Sequence, residues 1–490
     1  MTSSTPHYLC PVSTLFHLPC KGGIYNYIRI KENHVETTTL KDTKEQKPVK
    51  KRLVLRLFQA KKQKMGMVEN EEIVIVGGGI AGLATAVALK RVGFQARVLE
   101  RHHELRAGGT AISLAPNAWF ALRALGVDRK LTSTHQIFTK VVVTNLETGD
   151  TQAMAMPMKK DSFRGDDIGV RYVQRKTLLK ALAEELPPDT IRFSSKLISI
   201  KNETLRDSSK VTALHLDDGS IIKAKVVIGC DGVHSTVAQW LGLSQPLNSG
   251  RSAAYGLSVF SEDHGFEMQV RQYLGDSIRA GFIPLNSKEV YWFFFHKSSS
   301  FEQEISMSPE LILKEVTDNL AKDFPSDFLT VAKHTDLSNL AWGPLRFRAP
   351  WNVAFGRTQN GNVTVAGDAM HPMTPDIGQG ACSALEDAVV LARCLNQAHT
   401  TATDNRQWVE NGLKRYVNER RWRVAGVVAG AWLSGTVHQG GCGDQQWWSR
   451  ATRWFRDRCL YKFVLPKLVD FVWTDCGDLG SPVTQGVKST

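Results

Sequence analysis

Three glycines in the first quarter of the chain have the spacing of a phosphate-binding turn. Gly77, Gly79 and Gly82 follow the β-branched run Ile73-Val74-Ile75-Val76, which predicts a buried parallel strand. Helical periodicity follows the glycines and ends at Gly93, a typical helix C-terminal residue. In such a turn the first glycine permits the tight bend, the second lets the backbone approach a pyrophosphate, and the third allows close packing of the helix. Free N–H groups at the helix start would then face the phosphates.

A carboxylate stands where a dinucleotide would need one. Glu100 ends a second predicted strand, Ala96-Arg97-Val98-Leu99, 23 residues after Gly77. At this distance a carboxylate accepts hydrogen bonds from the ribose hydroxyls of a bound dinucleotide, and it disfavours a 2′-phosphate. The turn therefore predicts a dinucleotide other than NADP. No second turn of this type follows in the sequence, so we expect no separate NAD(P)H-binding domain.

Two further aspartates also follow predicted buried strands. Asp231, within Cys230-Asp231-Gly232, follows the apolar run 226–229, and Asp368 follows the run 362–366. Ligands of an open α/β sheet bind outside the carboxyl ends of its strands. Both carboxylates are therefore expected at one crevice.

A glycine-containing loop precedes the next predicted helix. The loop Pro375-Asp376-Ile377-Gly378-Gln379-Gly380 leads into an apolar stripe with helical spacing, formed by Ala381, Ala384, Leu385, Ala388, Val389, Ala392 and Leu395. The start of that helix would oppose a developing negative charge, such as the N1–C2=O edge of a reduced flavin.

Together these motifs resemble those of the group A flavoprotein monooxygenases, the family of salicylate hydroxylase, zeaxanthin epoxidase and related plant FAD-dependent monooxygenases. The resemblance extends from Glu71 to Trp422. It rests on the glycine turn with Glu100, on the stretch 230–235, and on the stretch 368–380 with Glu386-Asp387 in the following helix. Weaker matches lie at 173–178 and 418–423, and Gly108-Gly109-Thr110 is most similar to the plant members.

The resemblance implies a role for each matching residue. Glu100 would hold the adenosine ribose of FAD, Asp368 the ribityl chain, and Arg175 would contact the cofactor. Asp231 lies in the segment that the family uses for the FAD pyrophosphate and NAD(P)H together. Pro375 would lie near the face of the isoalloxazine ring where O2 reacts. The predicted cofactor-binding residues are Gly77, Gly79, Gly82, Glu100, Arg101, Arg175, Asp231, Gly232, Asp368, Gly378, Gln379 and Gly380. The predicted catalytic residues are those expected to surround the flavin ring, Pro375, Gly378 and Gln379. No metal site is predicted.

Two positions depart from the family pattern. The family usually has arginine three residues after the serine of the second motif, where this chain has Ala238, so the NAD(P)H contact stays open. Trp422 replaces a proline in the last motif, which is expected only to reshape the helix start.

The chemistry implied by the resemblance needs FAD, NADH or NADPH, and O2. Hydride reduces FAD, O2 reacts, and a C4a-hydroperoxyflavin transfers one oxygen atom, hydroxylating or epoxidising a small aromatic or isoprenoid-like substrate. The protein then supplies orientation, electrostatics and a dry pocket. Two alternatives are a flavin-dependent dehydrogenase or reductase without oxygen transfer and a non-catalytic FAD-binding protein.

The predicted fold is α/β: an interrupted Rossmann-type FAD-binding domain with an inserted antiparallel β-sheet substrate domain and a helical C-terminus. The predicted boundaries are a basic N-terminal extension at 1–70, the first part of the FAD-binding domain at 71–245, the substrate domain at 246–345, the second part at 346–400, and the helical region at 401–490.

Several other residues allow two interpretations. The run 291–295 is aromatic and is expected to be core rather than a substrate cage, because only alternate side chains of a strand face one side. Arg346 and Arg348 could steer an acidic substrate, but an exposed strand edge is favoured. His371 could act as a base, but support of its loop by hydrogen bonding is favoured.

The charge of the chain is concentrated at its start. Residues 1–66 contain 13 Lys and Arg against 4 Asp and Glu, so they hold +9 of the net +13. These residues are either a transit peptide, which predicts a plastid protein, or the result of a misassigned start near Met67, which predicts a cytoplasmic one. The nearly balanced remainder predicts no nucleic-acid partner.

The eight scattered cysteines fit the interior of a cell. The apolar run 424–437 is too short to span a bilayer and predicts a core helix. Six tryptophans after residue 420 leave a peripheral membrane contact possible.

Overall fold

The computed structural model describes residues 14–18, 26–31, 34–38, 68–105, 111–156, 158–160, 167–204, 210–298, 308–402, 407–438 and 471–480. The chain forms two compact units, Met1–Met67 and Val68–Thr490. In the first unit, strands β1 (Thr14–Leu18), β2 (Asn26–Lys31) and β3 (His34–Thr38) form an antiparallel sheet. Most of the predicted basic extension, like Gly108-Gly109-Thr110, lies outside the described residues, so its role in targeting stays a prediction.

The second unit contains two large sheets and several helices. Its strands are β4 (Val68–Val76), β5 (Ala96–Leu99), β6 (Ala111–Leu114), β7 (Lys140–Asn145), β8 (Thr151–Ala155), β9 (Met158–Lys160), β10 (Asp167–Gly169), β11 (Arg171–Gln174), β12 (Ile191–Arg192), β13 (Leu197–Thr204), β14 (Lys210–Leu216), β15 (Ile221–Gly229), β16 (Leu247–Val259), β17 (Val270–Gly275), β18 (Ile278–Pro284), β19 (Glu289–Lys297), β20 (Ala341–Phe347), β21 (Gln359–Asn360) and β22 (Val363–Val365). Its α-helices are α1 (Ile80–Arg91), α2 (Pro116–Ala124), α3 (Asp128–Thr132), α4 (Arg175–Ala183), α5 (Thr236–Trp240), α6 (Pro309–Lys314), α7 (Ser326–Lys333), α8 (Pro350–Phe355), α9 (Gly380–Thr400) and α10 (Trp408–His438).

The first sheet carries the predicted turn. Its strands run in the order β12-β5-β4-β15-β14-β13, and β22 pairs with β15 on one side and β21 on the other. The pairs from β12 to β15 and the pair β15–β22 are parallel. Residues 73–76 at the end of β4 are buried, as expected for a strand with helices on both faces. The strand ends that precede Gly77, Glu100 and Asp368 therefore share one edge of the sheet.

The second sheet has the order β20-β16-β19-β18-β17-β7-β8. Its pairs are antiparallel except β17 with β7, which run parallel. Strands β7 and β8 precede residue 246, so this sheet also takes residues from the stretch assigned by prediction to the first part of the FAD-binding domain. The division at residues 246 and 345 stays a prediction.

The two faces of the second sheet have different neighbours. Trp292 and Phe294 point into a core with Phe328 of α7. Tyr291, Phe293 and Phe295 point to the opposite face, into a cluster that includes Ala111 of β6 and Tyr172 of β11. The alternation expected for this run is present: one half is core under the helices, and the other half faces the part of the molecule that holds β6.

The C-terminal helix α10 packs on α9 and buries most apolar residues of the run 424–437. This run is a core helix, as predicted. In the part of the chain that the structure describes, no helix combines the length and the apolar character needed to cross a membrane. The mixed α/β architecture with a helical C-terminal region confirms the predicted fold class.

Candidate active site

The glycine turn has the geometry that a pyrophosphate needs. Gly77 has φ +107°, a conformation that favours glycine, and a Cβ on Gly82 would lie 1.9 Å from the carbonyl oxygen of Gly77. A Cβ on Gly79 would meet no atom within 4 Å, so the space in front of that residue is open. No side chain caps α1 and no acid lies in its first turn. Its first N–H groups are therefore free to bind phosphate oxygens.

Glu100 is fixed beside this turn. Its Oε2 accepts a hydrogen bond from the N–H of Gly78 at 2.8 Å, and its Oε1 accepts one from the N–H of His102 at 2.9 Å. The ring Nδ1 of His102 lies 2.7 Å from the same Oε1. Burial opposes ionisation, but these hydrogen bonds outweigh it and hold the pKa of Glu100 below its ordinary value. An ionised, oriented carboxylate next to the turn can accept the hydroxyl groups of a ribose.

Asp231 uses its carboxylate within its own segment. It accepts hydrogen bonds from the hydroxyl of Ser235 and from the N–H groups of Thr236 and Val237, at the start of α5. Burial raises the pKa of Asp231 above its ordinary value despite these contacts. The neighbouring Gly232 has φ +81° and no atom near its Cβ position, so its backbone is open to a ligand. In this segment the backbone, rather than the carboxylate, is available to a cofactor.

Asp368 is the most accessible acid of the predicted set. Its side chain is open to solvent, yet the walls of the surrounding crevice raise its pKa above the ordinary value. Electrostatic interactions with His371 and Arg175 act in the opposite direction and lower this pKa. Arg175 at the start of α4 is exposed, and so is Arg101 after β5. Asp368 and Arg175 thus lie close enough to interact through the same crevice.

The predicted flavin loop is held from two sides. Gly378 has φ +63°, and a Cβ there would lie 2.2 Å from Oγ of Ser113, whose hydroxyl donates to the Gly378 carbonyl at 3.2 Å. The side chain of Gln379 is buried and accepts a hydrogen bond from Asn117 at 2.9 Å. No side chain caps α9, which begins at Gly380, so its first N–H groups are free. Pro375 is half-buried in the same loop.

These positions form a path that suits an extended dinucleotide. The uncapped start of α1 and the oriented Glu100 lie at one end, the open carboxylate of Asp368 comes next, and the uncapped start of α9 lies at the other end. Free N–H groups suit the pyrophosphate and the pyrimidine edge of a flavin, and carboxylates suit the hydroxyls of ribose and ribitol. The residues present therefore fit FAD.

The comparison with known proteins agrees with this fit. Residues 70–431 match the family described as "FAD binding domain". The chain is 40% identical over 418 residues to Monooxygenase 2 of Arabidopsis thaliana, an alignment that covers 83% of this chain and 98% of that protein. The chain belongs to the FAD-dependent monooxygenases.

One more distant relative and one solved structure are also similar to this chain. Chloroplastic zeaxanthin epoxidase of an Oncidium hybrid cultivar is 28% identical over 72% of this chain and 53% of that protein. The crystal structure of Klebsiella pneumoniae HpxO complexed with FAD and uric acid has a TM-score of 0.67 and 23% identity, over 84% of this chain and 98% of that one. The second comparison confirms the fold.

A buried ionic network between α9 and α10 lies next to the candidate site of this monooxygenase. Glu386 and Asp387 lie side by side in α9, and Arg420 of α10 contacts both, with Nε 2.7 Å from Asp387 Oδ1. Arg423 donates two hydrogen bonds of 2.6 Å to Glu386. Burial opposes the charge of Asp387, but His371 and Arg420 lower its pKa to about 2. The network therefore remains ionised over the physiological pH range.

The network reaches both ends of the flavin site. Asp387 Oδ2 accepts hydrogen bonds from the N–H of Gly367 at 2.9 Å and from Nε2 of His371 at 2.6 Å, which fixes the turn that carries Asp368. At the other end, Asn117 donates to Glu386 at 2.5 Å and to Gln379. His371 thus supports its loop, which agrees with the favoured interpretation of the sequence.

A second ionic cluster joins the flavin loop to the second sheet. Arg251 of β16 donates two hydrogen bonds to Asp376, at 3.0 and 2.7 Å, and Arg279 of β18 donates to the Asp376 carbonyl at 3.0 Å. All three side chains are buried. Two guanidinium groups share one carboxylate, which leaves an excess positive charge beside the loop.

Some residues differ from expectation. Arg348 is not on an exposed strand edge: it lies beyond the end of β20, it is 2% exposed, and it donates to the carbonyls of Ser244 and Ala369. Burial lowers its pKa to about 10. Ala238, at the position where the family has arginine, is buried in α5.

Other kinds of site receive no support in the described part of the chain. Burial raises the pKa of Cys382 to about 12, so this thiol beside the flavin loop is not a nucleophile. No cluster of potential metal ligands occurs among the described residues. A cavity of about 490 Å³ lies against β7, β8 and β17, on the face of the sheet that carries Tyr273, and none of the predicted site residues lines it.

Proposed function

We propose that this monooxygenase uses NADH or NADPH and O2 to hydroxylate or epoxidise a small aromatic or isoprenoid-like molecule. In the balanced reaction, one oxygen atom of O2 enters the substrate, the other leaves as water, and NAD(P)H with a proton supplies the two reducing equivalents. FAD, when bound, supplies the hydride acceptor and the centre that activates O2. We also propose that the residues predicted from the sequence hold this cofactor.

The observation that supports this proposal most strongly is the aromatic face of the second sheet beside the flavin loop. Tyr291, Phe293 and Phe295 lie in one cluster with Tyr172 of β11. The cluster includes Ala111 of β6, the strand whose Ser113 contacts the flavin loop. An apolar wall at this place excludes water and packs against a flat substrate.

Polar groups on this wall could orient a substrate. Tyr172, Tyr255 and Tyr291 each bring a hydroxyl group to this cluster. Burial raises the pKa of Tyr172 to about 12, and it raises the pKa of the other two as well, so all three are neutral donors at physiological pH. The guanidinium of Arg279 lies 6.0 Å from the ring centre of Phe293. These groups suit a substrate with an oxygen on a flat, apolar frame.

Within the site, the protein's own groups act on charge and position. The uncapped N–H groups of α9 would stabilise negative charge on the pyrimidine edge of a bound flavin. Asp368 would hold the ribityl hydroxyls, and the pair Arg251–Asp376 fixes the loop that faces the substrate wall.

Anaerobic reduction of the purified holoenzyme tests the use of a nicotinamide. We expect NADH or NADPH to bleach the flavin absorbance near 450 nm, faster with one nicotinamide than with the other, and faster when an accepted aromatic or isoprenoid compound is present. A flavin that neither nicotinamide reduces, with any compound of such a panel, would favour the non-catalytic alternative.

The compartment is part of the same proposal. Residues 1–66 direct the protein to the plastid if they are a transit peptide, and the protein is cytoplasmic if translation starts near Met67. A fluorescent protein fused after residue 66 distinguishes the two, since plastid import of the fusion supports the first alternative and diffuse fluorescence supports the second.

A further inference from the structure

Large exposed hydrophobic side chains are concentrated on one side of the second unit. Trp351 and Phe355 of α8 are 63% and 74% exposed, and Trp422 of α10 is 60% exposed. Trp432, Leu433, Phe471 and Leu247 are also exposed. We call these seven residues the aromatic surface. They are seven of the thirteen large hydrophobic residues exposed in the described part of the chain. A contiguous exposed hydrophobic patch is typical of an interaction surface.

Side-chain and strand contacts bring several members of the aromatic surface together. Phe355 meets Trp422 edge-on at 5.3 Å, and Phe347 stacks on Trp432 at 6.5 Å. Both contacts join the segment 347–355 to the same helix, α10, and Trp351 belongs to that segment. Leu247 pairs with Phe347 in the sheet, and the ring of Phe471 lies 3.6 Å from the Cβ position of Gly426, one turn after Trp422.

The exposed cations nearest to Phe355 and Trp422 form a basic rim on this part of the aromatic surface, whereas Asp475 and Asp478 are exposed near Phe471. Arg357 is exposed two residues after Phe355, and Arg415 is exposed two turns before Trp422, on the same side of α10. The nearby acid Glu419 is paired with Arg393. A two-fold dimer through this surface would bring two copies of the basic rim to one interface, which disfavours a second copy as the occupant.

The segment that lies between Leu433 and Phe471 in the sequence is also rich in aromatic and basic residues. Residues 439–470 join the end of α10 to Phe471, and they contain six aromatic side chains and six Lys and Arg against three Asp. Tryptophan with basic residues is typical of segments that lie at the surface of a bilayer.

We propose that the aromatic surface docks the enzyme on an anionic lipid bilayer. Trp351, Phe355 and Trp422 enter the interfacial layer, and the basic rim contacts the lipid phosphates. Docking of this kind would give the enzyme access to molecules dissolved in the membrane. The inference rests on the surface alone, and it holds whichever substrate the active site accepts.

Sedimentation with vesicles tests the proposal on the full-length holoenzyme. We expect the protein to bind vesicles of phosphatidylcholine with phosphatidylglycerol, and to bind vesicles of phosphatidylcholine alone more weakly. The double variant Trp351→Ser/Phe355→Ser should bind the anionic vesicles at least about tenfold more weakly. The matched control is Ile198→Ser/Leu311→Ser, which removes two exposed hydrophobic side chains from other elements and should bind as the parent does.

Three results would overturn the proposal. The first is no sedimentation with anionic vesicles, and the second is equal binding by parent and double variant. The third is a mass in light scattering that doubles with concentration for the parent but not for the double variant, which would assign the surface to a second copy. Thermal unfolding provides the remaining readout. An unchanged melting temperature of the double variant supports an exposed surface, and a drop of several degrees would mean that the chain's own residues cover it.

Discussion

Arg420→Met should lower the melting temperature, because Arg420 is the shared cation of the buried ionic network. The substitution keeps a side chain of similar length and removes the charge that pairs with both Glu386 and Asp387. Glu386 keeps Arg423, but Asp387 keeps only His371 and the N–H of Gly367 as partners. Loss of one partner of a buried ion pair costs about 3–5 kcal/mol. For a cooperative unit of roughly 420 residues, an unfolding entropy of about 2.1 cal/mol/K per residue converts this cost into a drop of about 3–6 °C in melting temperature.

The pH dependence of this drop distinguishes electrostatics from lost packing. In the parent, the pKa of Asp387 is lowered to about 2, so its ionised form stabilises the fold above pH 4, and this contribution is lost as the pH falls through 2. Without Arg420 the buried carboxylates bind protons more readily. The difference in melting temperature between parent and variant should therefore be largest at pH 8 and shrink towards pH 5.

Thermal unfolding followed by tryptophan and flavin fluorescence measures both effects. Arg421→Met is the matched control, because Arg421 pairs with no carboxylate among the described residues and contacts only the Ala354 carbonyl, at 3.4 Å. It should cost less than about 1 kcal/mol. The double variant Arg420→Met/Asp387→Asn should recover part of the loss. A difference between parent and Arg420→Met that is under one degree, or that stays the same between pH 8 and pH 5, would refute the reasoning.

Three further predictions concern the cofactor site and its loop. Gly79→Ala should leave the apoprotein folded but weaken FAD binding, whereas Gly82→Ala should impair folding itself because its Cβ has no room; circular dichroism with FAD titration separates the two. Asp368→Asn should weaken FAD binding by about one to two orders of magnitude, since hydrogen bonds to a charged group contribute about 1.5–3 kcal/mol. Equal FAD occupancy of parent and variant after dialysis would contradict the assignment. The same variant should slightly raise the melting temperature of the apoprotein. The pKa of Asp368 is raised in the folded protein, so its charge destabilises the fold above pH 4. Asp376→Asn should lower the melting temperature more than Arg251→Met does. The first variant leaves two buried guanidinium groups without a carboxylate, whereas Arg251→Met leaves the Asp376 carboxylate with Arg279 as a partner. The reverse order would show that the Asp376 carboxylate does not neutralise both guanidinium groups.

The glycine turn could be predicted because its chemistry is local. A strand, three glycines, a helix and an acid at the next strand end lie within 28 residues, and the same residues lie together in the fold. Asp231 shows where this approach is incomplete. The motif places it at the correct strand end, but only the structure shows that its carboxylate is used by Ser235 and by the start of α5.

The ionic clusters around the site could not be predicted, because their partners are distant in the sequence. Arg251 and Asp376 are 125 residues apart, and Asn117 is 269 residues from Glu386. One signal was present: Glu386 and Asp387 interrupt an apolar helical stripe, and adjacent acids on a buried face require cationic partners. Their partner Arg420 lies in the last family motif. The sequence pattern predicts an exposed strand position for Arg348 because it extends the strand past Phe347. In the structure the strand ends at Phe347.

Incorporation of labelled oxygen tests the central claim most directly. The holoenzyme is incubated with NAD(P)H, with ¹⁸O2 and with a substrate that accelerates nicotinamide oxidation. The mass of the product is then measured by mass spectrometry. A monooxygenase gives a product that carries one ¹⁸O atom from O2, and none from H2¹⁸O in the reciprocal experiment. A product without ¹⁸O from labelled O2 would contradict the assignment and would favour a flavin-dependent dehydrogenase on the same fold.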